Sequence, residues 1–276
     1  MTPGIKTTDS RSLPRTDGEH VVDVSVIMPC LNEAIALPSC IDEALEAITE
    51  MGVSGEVIVV DNGSIDGSSE IARRAGARVV QEPRRGYGNA CRRGFAEARG
   101  RFLVLGDADG TYGFNALPGF IVPLLDGADM VMGTRLGGSI EVNAMPWLHR
   151  HVGNPLLTRI LNLLFSPGVS DAHCGLRSIT RESYGELRLG STGMEFASEL
   201  LIAASRRGFR IVEVPIRYRR RAGGEPKLRT FRDGWRHLRL MITYAVPRSE
   251  RHAALSRQVA IASSNGVARV RSWQED

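Results

Sequence analysis

Along the first 110 positions, apolar residues fall into short runs that stop abruptly at polar or turn-forming residues. VDVSVIMP (22–29), GEVIVVDNGS (55–64), ARVVQEP (77–83) and RFLVLGDADG (101–110) each hold a short β-branched or aliphatic run, which predicts strands. Between them the apolar positions move to helical spacing in LPSCIDEALEAITEM (37–51), SSEIARRAG (68–76) and GYGNACRRGFAEAR (86–99). The order is β-α-β-α-β-α-β, the pattern of an α/β fold with a mostly parallel sheet flanked by helices. Functional side chains in such sheets gather beyond the carboxyl ends of the strands. PCLNE, DNGSIDGS and DADG all stand at predicted strand ends, so the fold should bring three polar clusters to one rim.

The second half is less regular. DMVMG (129–133) and RIVEVPIRYR (210–219) predict strands, and MPWLHRHVGNPLLTRILNLLF (145–165) and EFASELLIAASRRG (195–208) predict helices. A further helix is expected from about Thr230 to Tyr244, with only weak helical character beyond Pro247. Residues 1–20 lack the apolar core of a signal peptide and are expected to be a disordered tail. No apolar run reaches the ~18 residues that cross a bilayer, so any membrane contact would be at the surface.

Composition adds one asymmetry. Hydrophobic content of 42% and charged content of 24% are ordinary for a globular chain of 276 residues. The net charge of +4 is uneven: Leu201 to Ala253 holds 14 Arg or Lys against 4 Asp or Glu. Such a block suits anionic substrates, lipid headgroups or nucleic acid. Aromatic residues are too sparse around it to form a base-stacking platform, which argues against nucleic acid. Cys30, Cys40, Cys91 and Cys174 show no paired spacing, as expected of free thiols in a reducing cytosol.

The sharpest chemical signal is FLVLGDADGTY (102–112). If the extended conformation continued through them, Asp107 and Asp109 would point the same way, and two such carboxylates call for a cation. Their oxygens suit Mg²⁺ or Mn²⁺; the alternative is a strand end entering an Asp-Gly turn. D-A-D-G-T also resembles the first motif of haloacid dehalogenase-like phosphatases. That motif belongs on a first strand, however, and three strands precede it here. A second resemblance covers far more of the chain. VSVIMPCLNEA, EVIVVDNGSIDGS, RGYGNACRRGFAEARG, VLGDADGTY, DMVMGTR, DAHCGLR, GMEFASELL and VPIRYRRRAGGEPKL stand in the order and spacing of the family 2 glycosyltransferases, from Val24 to Leu228. Within that family they look most like the dolichyl- or polyprenyl-phosphate mannose or glucose synthases and their bacterial relatives.

The resemblance implies a GT-A fold over residues 21–228, followed by a basic helical extension and tail over 229–276. It also implies a UDP- or GDP-sugar donor, a divalent metal held by Asp107 and Asp109, and inversion at the anomeric carbon. Pro29, Asn32, Glu33, Asp61 and Asn62 are then expected beside the base and ribose, with Pro29 ending the first strand. Asn32 and Glu33 could instead simply start the next helix. Arg84, Gly88, Ala108 and Arg135 join Asp107 and Asp109 in the donor set, since a glycine-rich helix start favours an anion. Asp171 and Glu199 are catalytic candidates, whereas His173 reads as structural or solvated. Arg177, Arg221 and Lys227 are expected on the acceptor or diphosphate; Lys6 and Lys227 are the only lysines, against 33 arginines. A polyprenyl phosphate acceptor needs no general base, whereas a soluble alcohol needs one from Asp171, Glu195 or Glu199. The expected location is cytoplasmic, with peripheral contact at the membrane face left open.

Overall fold

A computed structural model describes residues 22–224, 227 and 230–246. The expected N-terminal tail and the segment beyond Pro247 lie outside these. The first half follows the hydrophobic pattern closely: β1 (Val24–Cys30), α1 (Leu37–Glu50), β2 (Gly55–Asp61), α2 (Ser68–Arg74), β3 (Arg78–Gln81), α3 (Tyr87–Glu97) and β4 (Phe102–Leu105). A 3-10 turn (Phe114–Ala116) leads into α4 (Leu117–Leu125) and β5 (Met130–Ile140). A π-helical turn (His149–Gly153) runs into α5 (Asn154–Phe165), followed by β6 (Arg177–Thr180), α6 (Arg181–Gly185), α7 (Phe196–Arg206), β7 (Ile211–Tyr218) and α8 (Thr230–Ala245).

The seven strands form one sheet in the order β3-β2-β1-β4-β6-β5-β7. β6 runs antiparallel to both of its neighbours, and every other pairing is parallel. Strands buried on both faces read as continuous apolar runs. Val26, Met28, Val57, Val59, Phe102 and Val104 pack into one layer with Leu37, Ile41 and Phe120. Their alternates Ile27, Ile58, Val60, Leu103 and Leu105 pack into the other, with Phe95, Phe196 and Leu200. Each such side chain contributes about 1.5–3 kcal/mol on burial. The chain leaves β1 toward β2 on one side and returns to β4 on the other, so a crevice opens beyond β1 and β4.

Several elements depart from the sequence expectation for physical reasons. β6 is four residues long with Ile179 its one apolar residue, too short to show a period. α4 carries Pro at its start and Pro123 inside, so its apolar run carries a helix-breaking signal. The helix expected over 145–165 is interrupted by the π-helical turn. β5 extends seven residues past the expected end, because GTRLGGSI pairs with β7 across an irregular register.

α8 buries polar as well as apolar groups and exposes large apolar ones. Its protein-facing side carries Asp233, His237 and Met241, all buried, while Phe231, Trp235 and Ile242 are exposed. His237 Nδ1 lies 2.7 Å from Ser198 Oγ, which also meets His173 Nε2 at 3.2 Å. Burial pushes the His237 imidazole down to about 4 and holds His173 well below its ordinary value. An unfolded histidine titrates near 6.5, so between these values the unfolded chain takes up protons that the folded chain refuses. Stability is therefore complete above about pH 6.5 and falls as pH drops toward 4. Urea midpoints across this range should decline for the wild type and decline less for His237→Asn; parallel profiles would contradict the assignment.

Candidate active site at the carboxyl rim of the sheet

The first two strand ends are tied together before any ligand arrives. β1 continues through Pro29 to Cys30, so Pro29 is a buried strand residue in register with Val60 and does not end the strand. Asn32 adopts a left-handed conformation (φ 54°); its Oδ1 accepts from Ile65 N at 2.8 Å and its N–H donates to Ser64 Oγ at 2.9 Å. Asp61 accepts from Ser64 N (2.8 Å) and Ser69 Oγ (2.5 Å), with Gln81 Nε2 at 3.3 Å. Burial alone would raise the Asp61 carboxyl; the bonds from Ser69 and Ser64 outweigh it and hold it below its ordinary value. Asn62 donates to the carbonyls of Glu82 (2.7 Å) and Arg84 (2.9 Å) and accepts from Gly86 N (2.7 Å). Only an amide can do all three. Asn62 thus fixes the 82–86 loop, and its donors are spent there. Arg84 projects outward from an ion pair with buried Glu82. Gly88 lies against the Ser191 carbonyl with no room for a Cβ, so packing against that loop demands the glycine.

Extended backbone ends at Leu105, and Asp107, Ala108 and Asp109 lie in the turn that follows. The shared orientation expected of a continuing strand is therefore replaced by separate anchors. Asp107 Oδ1 accepts from Tyr87 Oη at 3.1 Å, and its carboxylate packs against Gly175. Burial and the nearby Asp109 charge push the Asp107 carboxyl up to about 7. Asp109 Oδ1 accepts from Thr111 N (2.9 Å) and Oγ1 (2.6 Å), an Asx turn that aims Oδ2 elsewhere. Ala108 between them is buried. Tyr87 had drawn no role from the sequence, although it sits within a quoted motif, whereas Thr111 is a turn residue at the rim as expected.

Oδ2 of Asp109 meets Arg221 Nη2 at 2.7 Å, and Arg221 Nη1 reaches both oxygens of Glu33 at 2.9 Å. Arg221 belongs to a strap after β7 in which Arg219 N donates to the Thr111 carbonyl (2.9 Å) and Ala222 N to the Asp109 carbonyl (3.2 Å). Burial raises the Glu33 carboxyl, only partly offset by Arg221. Lys227, further along, is exposed.

On the other side of the rim, most of the expected functional groups are occupied by one another. Arg135 and Asp171 form a buried two-pronged pair, both contacts 2.7 Å, and Arg135 N adds a third bond to Asp171 at 3.0 Å. Arg135 and Asp171, expected at donor and acceptor respectively, thus form one unit, stacked under the Tyr218 ring. Arg177, expected on the acceptor or diphosphate, is 2% exposed. Its guanidinium donates to the carbonyls of Cys174 (2.8 Å), Ala197 (2.6 Å) and Ala172 (3.2 Å), which makes it a scaffold arginine. Glu199 accepts from Gly190 N (3.0 Å), Ser191 N (2.8 Å) and Tyr244 Oη (2.7 Å). Glu195 takes Arg236 Nη2 at 2.8 Å on Oε1 and leaves Oε2 buried without a partner. All four cysteines are free and buried.

The profile of glycosyl transferase family 2 matches residues 25–188, which include every strand end described above except that of β7. The chain belongs to glycosyl transferase family 2. It is 44% identical over 230 residues to the low-salt glycan biosynthesis hexosyltransferase Agl6 of Haloferax volcanii, covering 83% of this chain and 55% of that protein. It thus spans little more than half of Agl6. With the dolichyl-phosphate hexose transferase of the same organism it shares 38% identity over 213 residues, 77% of this chain and 89% of the relative. Among solved structures, glucosyl-3-phosphoglycerate synthase from Mycobacterium tuberculosis in complex with Mg²⁺ and uridine diphosphate superposes with a TM-score of 0.60 at 26% identity, covering 74% of this chain and 73% of that one. The fold is accordingly GT-A.

For a family 2 glycosyltransferase, the rim has one feature that bears on a divalent metal. Among the described residues no group of three or more His, Cys, Asp or Glu could hold an ion alone. Mg²⁺ and Mn²⁺ do not need one, since carboxylates and substrate phosphates share the coordination. Asp109 Oδ2 already has a cation against it, the Arg221 guanidinium. The residues therefore fit an ion held by Asp107 and Asp109. Away from that pair, the Asn62 amide makes a separate demand. Asn62→Asp should cost about 1–3 kcal/mol in urea denaturation, because a carboxylate would face two carbonyls; an unchanged midpoint would count against the clamp.

Proposed function

We propose that this family 2 glycosyltransferase transfers a hexose from a UDP- or GDP-sugar to a polyprenyl phosphate, with inversion. The observation that carries this reading is the state of two of the three candidate bases, Asp171 and Glu199. Asp171 is saturated by Arg135, and Glu199 by two backbone amides and Tyr244. Neither is left to take a proton from an alcohol. A phosphate acceptor is already an anion and attacks the anomeric carbon directly. Asp107 and Asp109 would hold Mg²⁺ or Mn²⁺, whose charge when bound stabilises the departing nucleoside diphosphate. Asp61, Asn32 and the loop fixed by Asn62 frame the nucleoside end of the rim. Arg221 and Lys227 supply positive charge from the strap to the diphosphate and the incoming phosphate.

A second observation favours a lipid-linked acceptor. Leu148, Val152, Leu156 and Leu163 are exposed at helical spacing along the π-helical turn and α5, and Phe231, Trp235 and Ile242 are exposed along α8, which packs beside α5. Arg159 and Arg239 fall within the same stripes. Apolar residues interleaved with arginine suit peripheral contact with an anionic bilayer. No helix among the described residues is long and apolar enough to cross a membrane. The relative named a dolichyl-phosphate hexose transferase points the same way.

One detail supports a soluble phosphorylated alcohol instead: Glu195 keeps a buried oxygen without a partner. Labelled UDP- and GDP-hexoses with Mn²⁺ and either undecaprenyl phosphate or phosphoglycerate separate the two readings. Labelled lipid is expected, with Asp109→Ala lowering transfer on the order of 10²-fold or more and Glu195→Gln leaving it within about twofold. Transfer only to the soluble acceptor, lost in Glu195→Gln, would overturn the lipid reading. With a phosphate acceptor the rate should rise through about pH 6, the second ionisation of a phosphomonoester, and then level.

A further inference from the structure

We infer that Arg221 is a built-in counter-cation that competes with the metal for Asp109 and moves to the diphosphate when metal and donor enter together. This rests on the proposed metal role of Asp107 and Asp109. Arg221 is the single described side chain that ion-pairs with Asp109, and it is also the one that pairs with Glu33. Its two Nη atoms divide between them, Nη2 on Asp109 Oδ2 at 2.7 Å and Nη1 on Glu33 at 2.9 Å. Oδ2 is the outward oxygen, since Thr111 holds Oδ1 from both its amide and its hydroxyl. An ion approaching the rim must take that oxygen from the guanidinium.

The strap is set to hold Arg221 there. Tyr218 bridges to Tyr112, Arg219 N and Ala222 N bond to the carbonyls of Thr111 and Asp109, and Arg219 pairs with Glu43. Gly223 packs against Ile35 with no room for a Cβ, and Gly224 turns at φ 72° directly over the Glu33 carboxylate. The polypeptide that supplies the arginine thus lies across the crevice between the first and fourth strand ends. A divalent ion and a guanidinium about 4 Å apart repel enough to weaken ion binding roughly tenfold or more, even at the dielectric constant of water. A nucleoside diphosphate reverses this, because its oxygens give the guanidinium a new anionic partner as the ion takes Asp109. Metal and nucleotide therefore enter as a coupled pair, each raising the affinity for the other by the same factor.

The consequence is a pair of effects of opposite sign at one residue. Mn²⁺ binding to the full chain, followed by the electron paramagnetic resonance of free Mn²⁺ with and without UDP, reads both. Without UDP, Arg221→Ala and Arg221→Gln should bind Mn²⁺ about tenfold more tightly than wild type. With Mn²⁺ saturating, the same variants should bind UDP more weakly, so UDP tightens Mn²⁺ binding less than in the wild type. A residue that merely stabilises the strap would weaken both. Unchanged or weaker Mn²⁺ affinity without UDP, in both variants, overturns the inference while leaving the metal assignment standing. Absence of Mn²⁺ binding in every arm, UDP included, overturns the metal assignment and this inference with it.

Discussion

Two carboxylates, Asp107 and Asp109, stand two residues apart just beyond the end of a buried strand, near enough that their charges repel. With water largely excluded, one response is visible on Asp107 itself, whose carboxyl is pushed up to about 7 by burial and by Asp109. The other is the guanidinium of Arg221, brought from more than a hundred residues away to lie against Asp109 and Glu33. A pair of charges that is costly alone becomes favourable once a cation is supplied. The fold supplies one from its own strap; the chemistry proposed for the site supplies another with its substrate.

Around that pair, the scaffold consumes polar groups so that few are left to act. Arg135 and Asp171 neutralise each other in the interior, Arg177 is spent on carbonyls, and Glu199 ties down the loop before α7. A buried ion pair of this kind is costly to break from either side. Such groups define the shape of the proposed acceptor side while withholding proton transfer from it. The same economy operates beyond the ends of β1 and β2, where Asp61, Asn62 and the serines of the second loop bond chiefly to each other and to backbone.

How much of this was legible in the sequence follows from where each signal resides. The first four strands and three helices declared themselves, because a parallel sheet buried on both faces leaves uninterrupted apolar runs. The order of motifs gave the family. β6 was invisible because four residues with a single apolar one carry no period, and its antiparallel course depends on partners from β4 and β5. Several of the expected site residues lie at the strand ends, but their partners there were not legible. Arg177 matched a motif yet turned inward, and Pro29 matched one yet stayed within the strand. Tyr87 and Thr111 hold the two aspartates through contacts that only the folded turn creates. Spacing predicts which side chains reach a rim; it does not say which of them are already engaged there.

The central claim is that Asp109 joins a cation to a nucleoside diphosphate. Calorimetric titration of UDP and GDP into the wild type and Asp109→Asn, with and without Mn²⁺, tests it most directly. The account predicts that at least one nucleotide binds the wild type far more tightly with Mn²⁺ than without, and that Asp109→Asn loses most of that difference. Equal affinity with and without the ion in the wild type would contradict it.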